Sequence, residues 1–306
     1  MTRRVRPSLP PAATAPLARR AVLAAALTAT ACGTAAPAAA TPLPAPPGDG
    51  PWPDPAGPGG DAFTADFPTD GLVTNEYAHR HPADPASRTH PDWTVTSGSL
   101  FGRWTFGWTG VPDDTSPGPD SATGTGSCVF RLATRRRDFA DTWMRLRALV
   151  EPPVTTARTP ARDWDGAHLW LRYHGPQELY ALSFRRRDGT VAVKRKAPPP
   201  HDPAGEGVYT TLASVPHPLE YGRWHRVAGL VRDTADGGVH ISLHLNGLHV
   251  IDVEDPAPGR LREAGGIGLR ADNTSLVFDA LTAYHPARPP AAGGPDTTEP
   301  DRREGP

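Results

Sequence analysis

Between residues 168 and 196 the chain reads HLWLRYHGPQELYALSFRRRDGTVAVKRK, and its apolar residues recur at every second position. That period belongs to strands with one buried face, and it leaves no room for a helix. Leu169, Leu171 and Tyr173 fall on one side of the first run, with His168, Trp170 and Arg172 on the other. In the second run Tyr180, Leu182 and Phe184 oppose Ser183, Arg185 and Arg187. In the third, Val191 and Val193 alternate with Lys194 and Lys196. Asp188-Gly189 between the last two runs is a tight-hairpin signal. Aligning the apolar faces of three neighbouring strands puts His168, Trp170, Arg172, Ser183, Arg185, Arg187, Lys194 and Lys196 on one outer face. That face is expected to be cationic, with Trp170 as its aromatic platform.

The same short alternating runs recur through residues 61–286, separated by turn signals such as Asn246-Gly247. No capped 3.6-period stretch interrupts them, so minimal helix is expected. Many short strands of this kind predict an all-β, two-sheet antiparallel jelly-roll sandwich. The rest of the 306 residues is read as flanking sequence. Residues 1–32 carry Arg19 and Arg20, an apolar core and small residues ending at Cys32, the layout of an export signal of twin-arginine type. The small residues before Cys32 resemble a lipobox, which makes Cys32 the expected lipidation site and the anchor to a membrane. Residues 33–60 are a Pro/Ala/Gly linker, and residues 287–306 a polar tail expected to be disordered. A formal charge of -1 gives no general reason to expect nucleic acid as a partner, and a monomer is expected.

The stretches WTVTSGSLF from Trp93, RWHRV from Arg223, LNGL from Leu245 and GLRADN from Gly268, followed by Phe278-Asp279, resemble concanavalin A-like lectin/glucanase domains. Among these, the laminin G-like and 3-keto-disaccharide hydrolase-like modules of secreted bacterial proteins are nearest in pattern. The resemblance covers most of the predicted domain and mainly encodes turns and strand ends. It implies a jelly roll whose concave sheet often holds a carbohydrate, and a calcium ion in some members.

Three chemistries are open. The first is non-catalytic binding of a polysaccharide or oligosaccharide. Trp170 would stack on a sugar, while Arg172, Arg185 and Lys194 bond its hydroxyl or carboxylate groups, which suits an acidic glycan. The alternative for these cations is a solvated face paired to loop acids such as Asp163, Asp165 and Asp188. The second is a structural Ca²⁺ held where the chain ends meet, by Asp61, Asp66, Asp272 and Asp279. The third is catalysis on the same face, by a polysaccharide lyase or a 3-keto-glycoside hydrolase. No Glu-x-Asp-x-Glu strand supports a laminarinase-type hydrolase, and the sequence leaves the catalytic residues unassigned. A surface module that binds protein is a further alternative. Cys128 is the only cysteine besides Cys32 and is expected to be a buried, inert thiol.

Overall fold

The computed structural model describes residues 44–46, 52, 58–199, 201, 207–256 and 261–287. The export signal, Cys32, most of the 33–60 linker and nearly all of the 287–306 tail lie outside the described residues. The strands run β1 (Phe63–Thr64), β2 (Gly71–Asn75), β3 (Trp93–Ser97), β4 (Ser99–Arg103), β5 (Phe106–Trp108), β6 (Val129–Thr134), β7 (Thr142–Val150) and β8 (Gly166–Gly175). They continue with β9 (Glu178–Arg186), β10 (Thr190–Ala197), β11 (Val208–Pro216), β12 (Trp224–Asp233), β13 (Val239–Leu245), β14 (Leu248–Asp255), β15 (Gly266–Asp272) and β16 (Leu276–Tyr284). One short helix, α1 (Glu76–Arg80), starts on an Asn75 cap whose Oδ1 accepts from the Ala78 N–H. β2 and α1 occupy a stretch that composition reads as loop. Its Pro, His and Asp residues are real turn formers but are concentrated after Arg80.

The strands form two antiparallel sheets packed face to face, as the alternation predicts. One has nine strands, ordered β14-β13-β12-β7-β16-β5-β4-β2, with β1 added against β16; the other has seven, ordered β11-β10-β9-β8-β15-β6-β3. Leu169, Leu171, Tyr180, Leu182, Phe184, Val191 and Val193 of the smaller sheet are buried in one apolar cluster. Met144, Leu146, Val227, Val231, Ile241, Leu243 and Leu245 of the larger sheet belong to the same cluster. Each such side chain contributes about 1.5–3 kcal/mol by leaving water. Gly229 on β12 leaves room for the leucines of the facing sheet. A Cβ there would sit 2.7 Å from Leu182 Cδ2.

Two departures from strict alternation shape the smaller sheet. Arg172 adopts a left-handed backbone, φ 46°, and the β8–β9 register shifts between Leu171 and Gly175. Against β15 this stretch of β8 carries one extra residue, which turns Arg172 toward the nine-stranded sheet and returns Tyr173 to the outside. Arg172 is 1% exposed. Its guanidinium donates to Asp233 Oδ1 at 2.9 Å, Asp141 Oδ1 at 3.2 Å, Leu261 O at 2.6 Å and Ala140 O at 3.2 Å. It ties the starts of β7 and β15 to the end of β12. The second bulge lies on β9: Ala167 pairs with Arg185 and His168 with Ser183, leaving Phe184 as the extra residue.

Outside the nine-stranded sheet, Trp52 packs on Trp143, Ala228, Leu230 and Tyr284, and Pro44 O accepts from Trp224 Nε1 at 2.6 Å. Cys128 is buried as expected, and burial pushes its thiol pKa up.

Replacing Arg172 by Leu removes every donor of this clamp and takes the donor from the buried Leu261 carbonyl, while Ala140 O keeps its bond from Thr142 Oγ1. The expected loss is about 3 kcal/mol of unfolding free energy in a urea titration. A loss below about 1 kcal/mol would show that the clamp contributes little.

Candidate functional site

The solvent-facing side of the seven-stranded sheet is built in rows set by its register. One row runs Arg131–Arg270–His168–Ser183–Ala192 across β6, β15, β8, β9 and β10. The next runs Ala133–Gly268–Trp170–Ala181–Lys194. A third joins Asp272, Gly166 and Arg186. Small residues in these rows make a depression, and long ones make its rim. Gly268 is required by space: a Cβ would lie 2.2 Å from Leu132 O and 3.1 Å from the Trp170 ring. The result is a cleft of about 420 Å³. Trp164 from the loop before β8, with Tyr209 and Gly207 from the β11 side, completes its wall. None of its lining comes from residues 102–126, which instead supply the end of β4 and all of β5 in the other sheet.

Charge in the cleft is lopsided. Arg131, Arg186, Lys194, Lys196 and Arg270 line it against the one carboxylate Asp272. Three of the five cations are committed. Arg270 makes a bidentate pair with Asp272, with Nε–Oδ2 at 2.8 Å and Nη2–Oδ1 at 2.8 Å. Arg186 pairs with Asp188 at 2.5 Å and 3.1 Å, and Lys196 donates to Pro176 O at 2.8 Å. Arg131 and Lys194 have no hydrogen-bond or ion-pair partner among the described residues, although the Lys194 ammonium lies 6.0 Å from the Tyr209 ring centroid. Burial, and then the charge of Arg186, lower the Lys194 pKa. Trp164 is 48% exposed and Tyr209 is 38% exposed, with Arg162 5.8 Å from the Trp164 ring centroid and Lys196 5.1 Å from that of Tyr209.

Beneath the cations lies a buried polar chain. Ser183 Oγ is 2.7 Å from His168 Nδ1, and His168 Nε2 is 3.2 Å from Asp272 Oδ2. Burial alone would raise the Asp272 pKa, but the Arg270 charge and the His168 hydrogen bond outweigh it and hold it at about 2. Asp272 is therefore an ionised acceptor, and His168 Nε2–H must donate to it. Burial lowers the His168 pKa against the pull of Asp272, so the ring is neutral and its bare Nδ1 accepts from the Ser183 hydroxyl.

The sequence-predicted face is thus only partly assembled. His168, Trp170, Ser183, Lys194 and Lys196 line the cleft together. Trp170, however, is 2% exposed and lies flat on Tyr173, with centroids 5.2 Å apart and planes within 2°. It forms floor rather than platform, because Tyr173 joins it on the outer face. Arg172 points into the sandwich, as described above. Arg185 stacks on Tyr221 at 3.4 Å, because the β9 bulge resets the parity and sends Arg186 to the cleft instead. Arg187 pairs with buried Asp165 at 3.1 Å and fixes the loop that carries Trp164. The four aspartates expected to hold calcium do not converge. Asp61 and Asp66 are exposed, Asp272 is bonded as above, and Asp279 pairs with Arg147 on the other sheet. No group of three or more His, Cys, Asp or Glu side chains is placed to hold a metal among the described residues. Sequence reasoning missed Arg131, Trp164, Arg186, Tyr209 and Arg270.

A second polar cluster lies outside the nine-stranded sheet. His240 Nε2 and His249 Nε2 flank the Asp252 carboxylate at 2.5 Å and 3.3 Å. His244 stacks on His249 at 4.4 Å and meets Trp143 edge-on at 5.1 Å.

No protein-family model matches the sequence, and no curated protein matches it. Solved structures resemble it in shape. A carbohydrate-binding module from Bacillus subtilis shares 13% identity at a TM-score of 0.43, over 63% of this chain and 94% of that one. A legume lectin-like domain from Entamoeba histolytica shares 10% at 0.41, over 63% and 89%. A protein of unknown function with a galectin-like fold, also from Bacillus subtilis, shares 11% at 0.45, over 75% and 100%. At these levels the likeness carries no argument about this chain's activity, and the sandwich is read from its own strand order.

The His244 ring is held down to about 4, by burial first and by the His249 charge second. An unfolded histidine titrates near 6.5. The native state therefore binds fewer protons between these values, and stability present above pH 6.5 is lost as pH falls toward 4. Denaturant titrations at pH 7 and pH 4.5 should differ by about 1–2 kcal/mol from this group, discounted for its partial exposure to solvent. His244→Phe should remove most of that difference, and an unchanged pH dependence in the variant would assign it elsewhere.

Proposed function

We propose that the cleft on the seven-stranded sheet binds an anionic carbohydrate, such as a uronate-bearing oligosaccharide. The observation that carries this reading is the pairing of two uncommitted cations, Arg131 and Lys194, with two partly exposed aromatic rings, Trp164 and Tyr209, in one open cleft. A sugar presents a C–H face suited to an aromatic ring and, when oxidised, a carboxylate suited to guanidinium. The committed cations add to the positive field without being available to bond. Arg131 and Lys194 sit at opposite sides of the depression, so they can grip a ligand along its length rather than at one point. The shape neighbours include carbohydrate-binding and lectin-like domains, in keeping with this reading. Export through residues 1–32 and anchoring through Cys32 are part of the same proposal, and would place the cleft among extracellular glycans.

Titration calorimetry with oligogalacturonate and with a neutral glucan of equal length tests the site. The uronate should bind more tightly, and its affinity should fall with added salt. Lys194→Gln and Arg131→Gln should each weaken it about tenfold or more, the loss of one charge-assisted bond. Trp164→Ala should also weaken binding, and Arg187→Gln much less. Equal affinity for the neutral glucan, or variants that bind as the parent does, would remove the proposal. Radiolabelled palmitate incorporation that survives Cys32→Ser would remove the anchor.

A further inference from the structure

We propose that Ser183, His168 and Asp272 form a hydrolytic triad at the floor of the cleft, and that it cleaves an ester on the bound ligand, an O-acyl group on a sugar hydroxyl. The identity of the alcohol rests on the glycan reading above; the ester chemistry rests on the triad alone. The three parts of such a device are present and connected. Ser183 Oγ is within 2.7 Å of His168 Nδ1, and His168 Nε2 within 3.2 Å of Asp272. All three residues are more than nine-tenths buried, yet all line the cleft. A neutral imidazole held by an ionised carboxylate on one nitrogen, with a hydroxyl on the other, is the arrangement that activates a serine. Here Asp272 holds Nε2 and Nδ1 faces the serine, which leaves the proton logic unchanged.

The chemistry follows from these positions. Ser183 Oγ attacks the acyl carbonyl carbon, and its proton passes to His168 Nδ1. The carbon–oxygen bond to the sugar breaks, and the departing sugar oxygen takes that proton. Water then attacks the acyl-serine, gives its proton to His168, and releases the carboxylic acid as the Ser183 bond breaks and the proton returns to Oγ. No oxidant or cofactor is needed. The developing oxyanion needs positive charge nearby. Lys194 lies diagonal to Ser183 on the same face, because Ser183 pairs with Ala192 and Lys194 with Ala181. Trp170 lines the same floor, and its Nε1–H has no partner. Arg270, bonded twice to Asp272, fixes the carboxylate that positions His168.

The test uses the full chain with two probes. A fluorophosphonate should form an adduct that mass spectrometry maps to the peptide carrying Ser183. Release of acetate from O-acetylated polygalacturonate should exceed the protein-free rate. Ser183→Ala should abolish the adduct and cut acetate release at least 100-fold while oligogalacturonate still binds. Asp272→Asn, a positioning change, should slow release about 10³-fold or more. It should also alter the pH profile, in a protein whose melting shows it folded; His168→Gln repeats the test at the base. Because burial lowers the His168 pKa, the parent rate should rise to its plateau at lower pH than an ordinary histidine base would allow. No adduct on Ser183, or equal release by Ser183→Ala, overturns the triad even if uronate binds. An adduct on Ser183 in a protein that binds no uronate keeps the triad and overturns the glycan reading instead.

Discussion

A residue in a paired strand has two directions open to it, and on β8, β9 and β10 one leads to the shared core and the other to the cleft. Two extra residues decide where this assignment flips. The left-handed turn at Arg172 sends one cation inward and brings Tyr173 out beneath the cleft. The bulge at Phe184 holds Arg185 against Tyr221 and delivers Arg186 to the rim. Without either bulge the outer face would carry more charge and less shape. With them, the charge is divided between clamps that hold the sandwich and a smaller set that faces a ligand.

The clamps explain why so many arginines belong to the fold rather than to the site. Arg172, Arg187 and Arg195 each meet an aspartate at a strand end, the last at Asp255, which also accepts from Tyr180 at 2.7 Å. Taking a guanidinium out of water is costly unless its donors are met, and each of these finds carboxylate or carbonyl acceptors. Their effect is to fix loops. The Arg187–Asp165 pair is continued by Asn273, which donates to Asp165 at 2.9 Å, so the loop before β8 is tied to the end of β15. Trp164 stands next to that knot, and its exposed ring is thereby held at the wall of the cleft.

The fold class was legible because alternation and turn residues are local. The core faces of Leu169, Leu182 and Val193 follow from counting by two, and Asp188-Gly189 and Asn246-Gly247 mark their hairpins. The bulges were not legible, since nothing in the string SFRRR says that Phe184 is the extra residue and so which arginine faces the cleft. Of the cations expected on the outer face, Arg187 pairs with the loop acid Asp165, and the unpredicted Arg186 pairs with Asp188. Arg270 and Asp272 were visible as a short motif but unplaceable. They join the site only because β15 inserts between β6 and β8, a pairing made across about a hundred residues of chain. The four aspartates expected to share a calcium lie apart for the same reason: chain ends that share a sheet need not bring their carboxylates together.

That insertion has a chemical consequence. By placing Arg270 beside His168 and Asp272 next to both, β15 supplies a carboxylate to a histidine that the central hairpin alone would leave paired only to Ser183. The carboxylate is neutralised by Arg270 in the same step, so the floor gains a fixed tautomer without gaining a repulsive charge. A ligand anion approaching Arg131 and Lys194 therefore meets no free carboxylate among the described lining residues. Anion attraction at the rim and proton chemistry at the floor are compatible for this reason: the one acid that orients the imidazole is already matched by its own guanidinium.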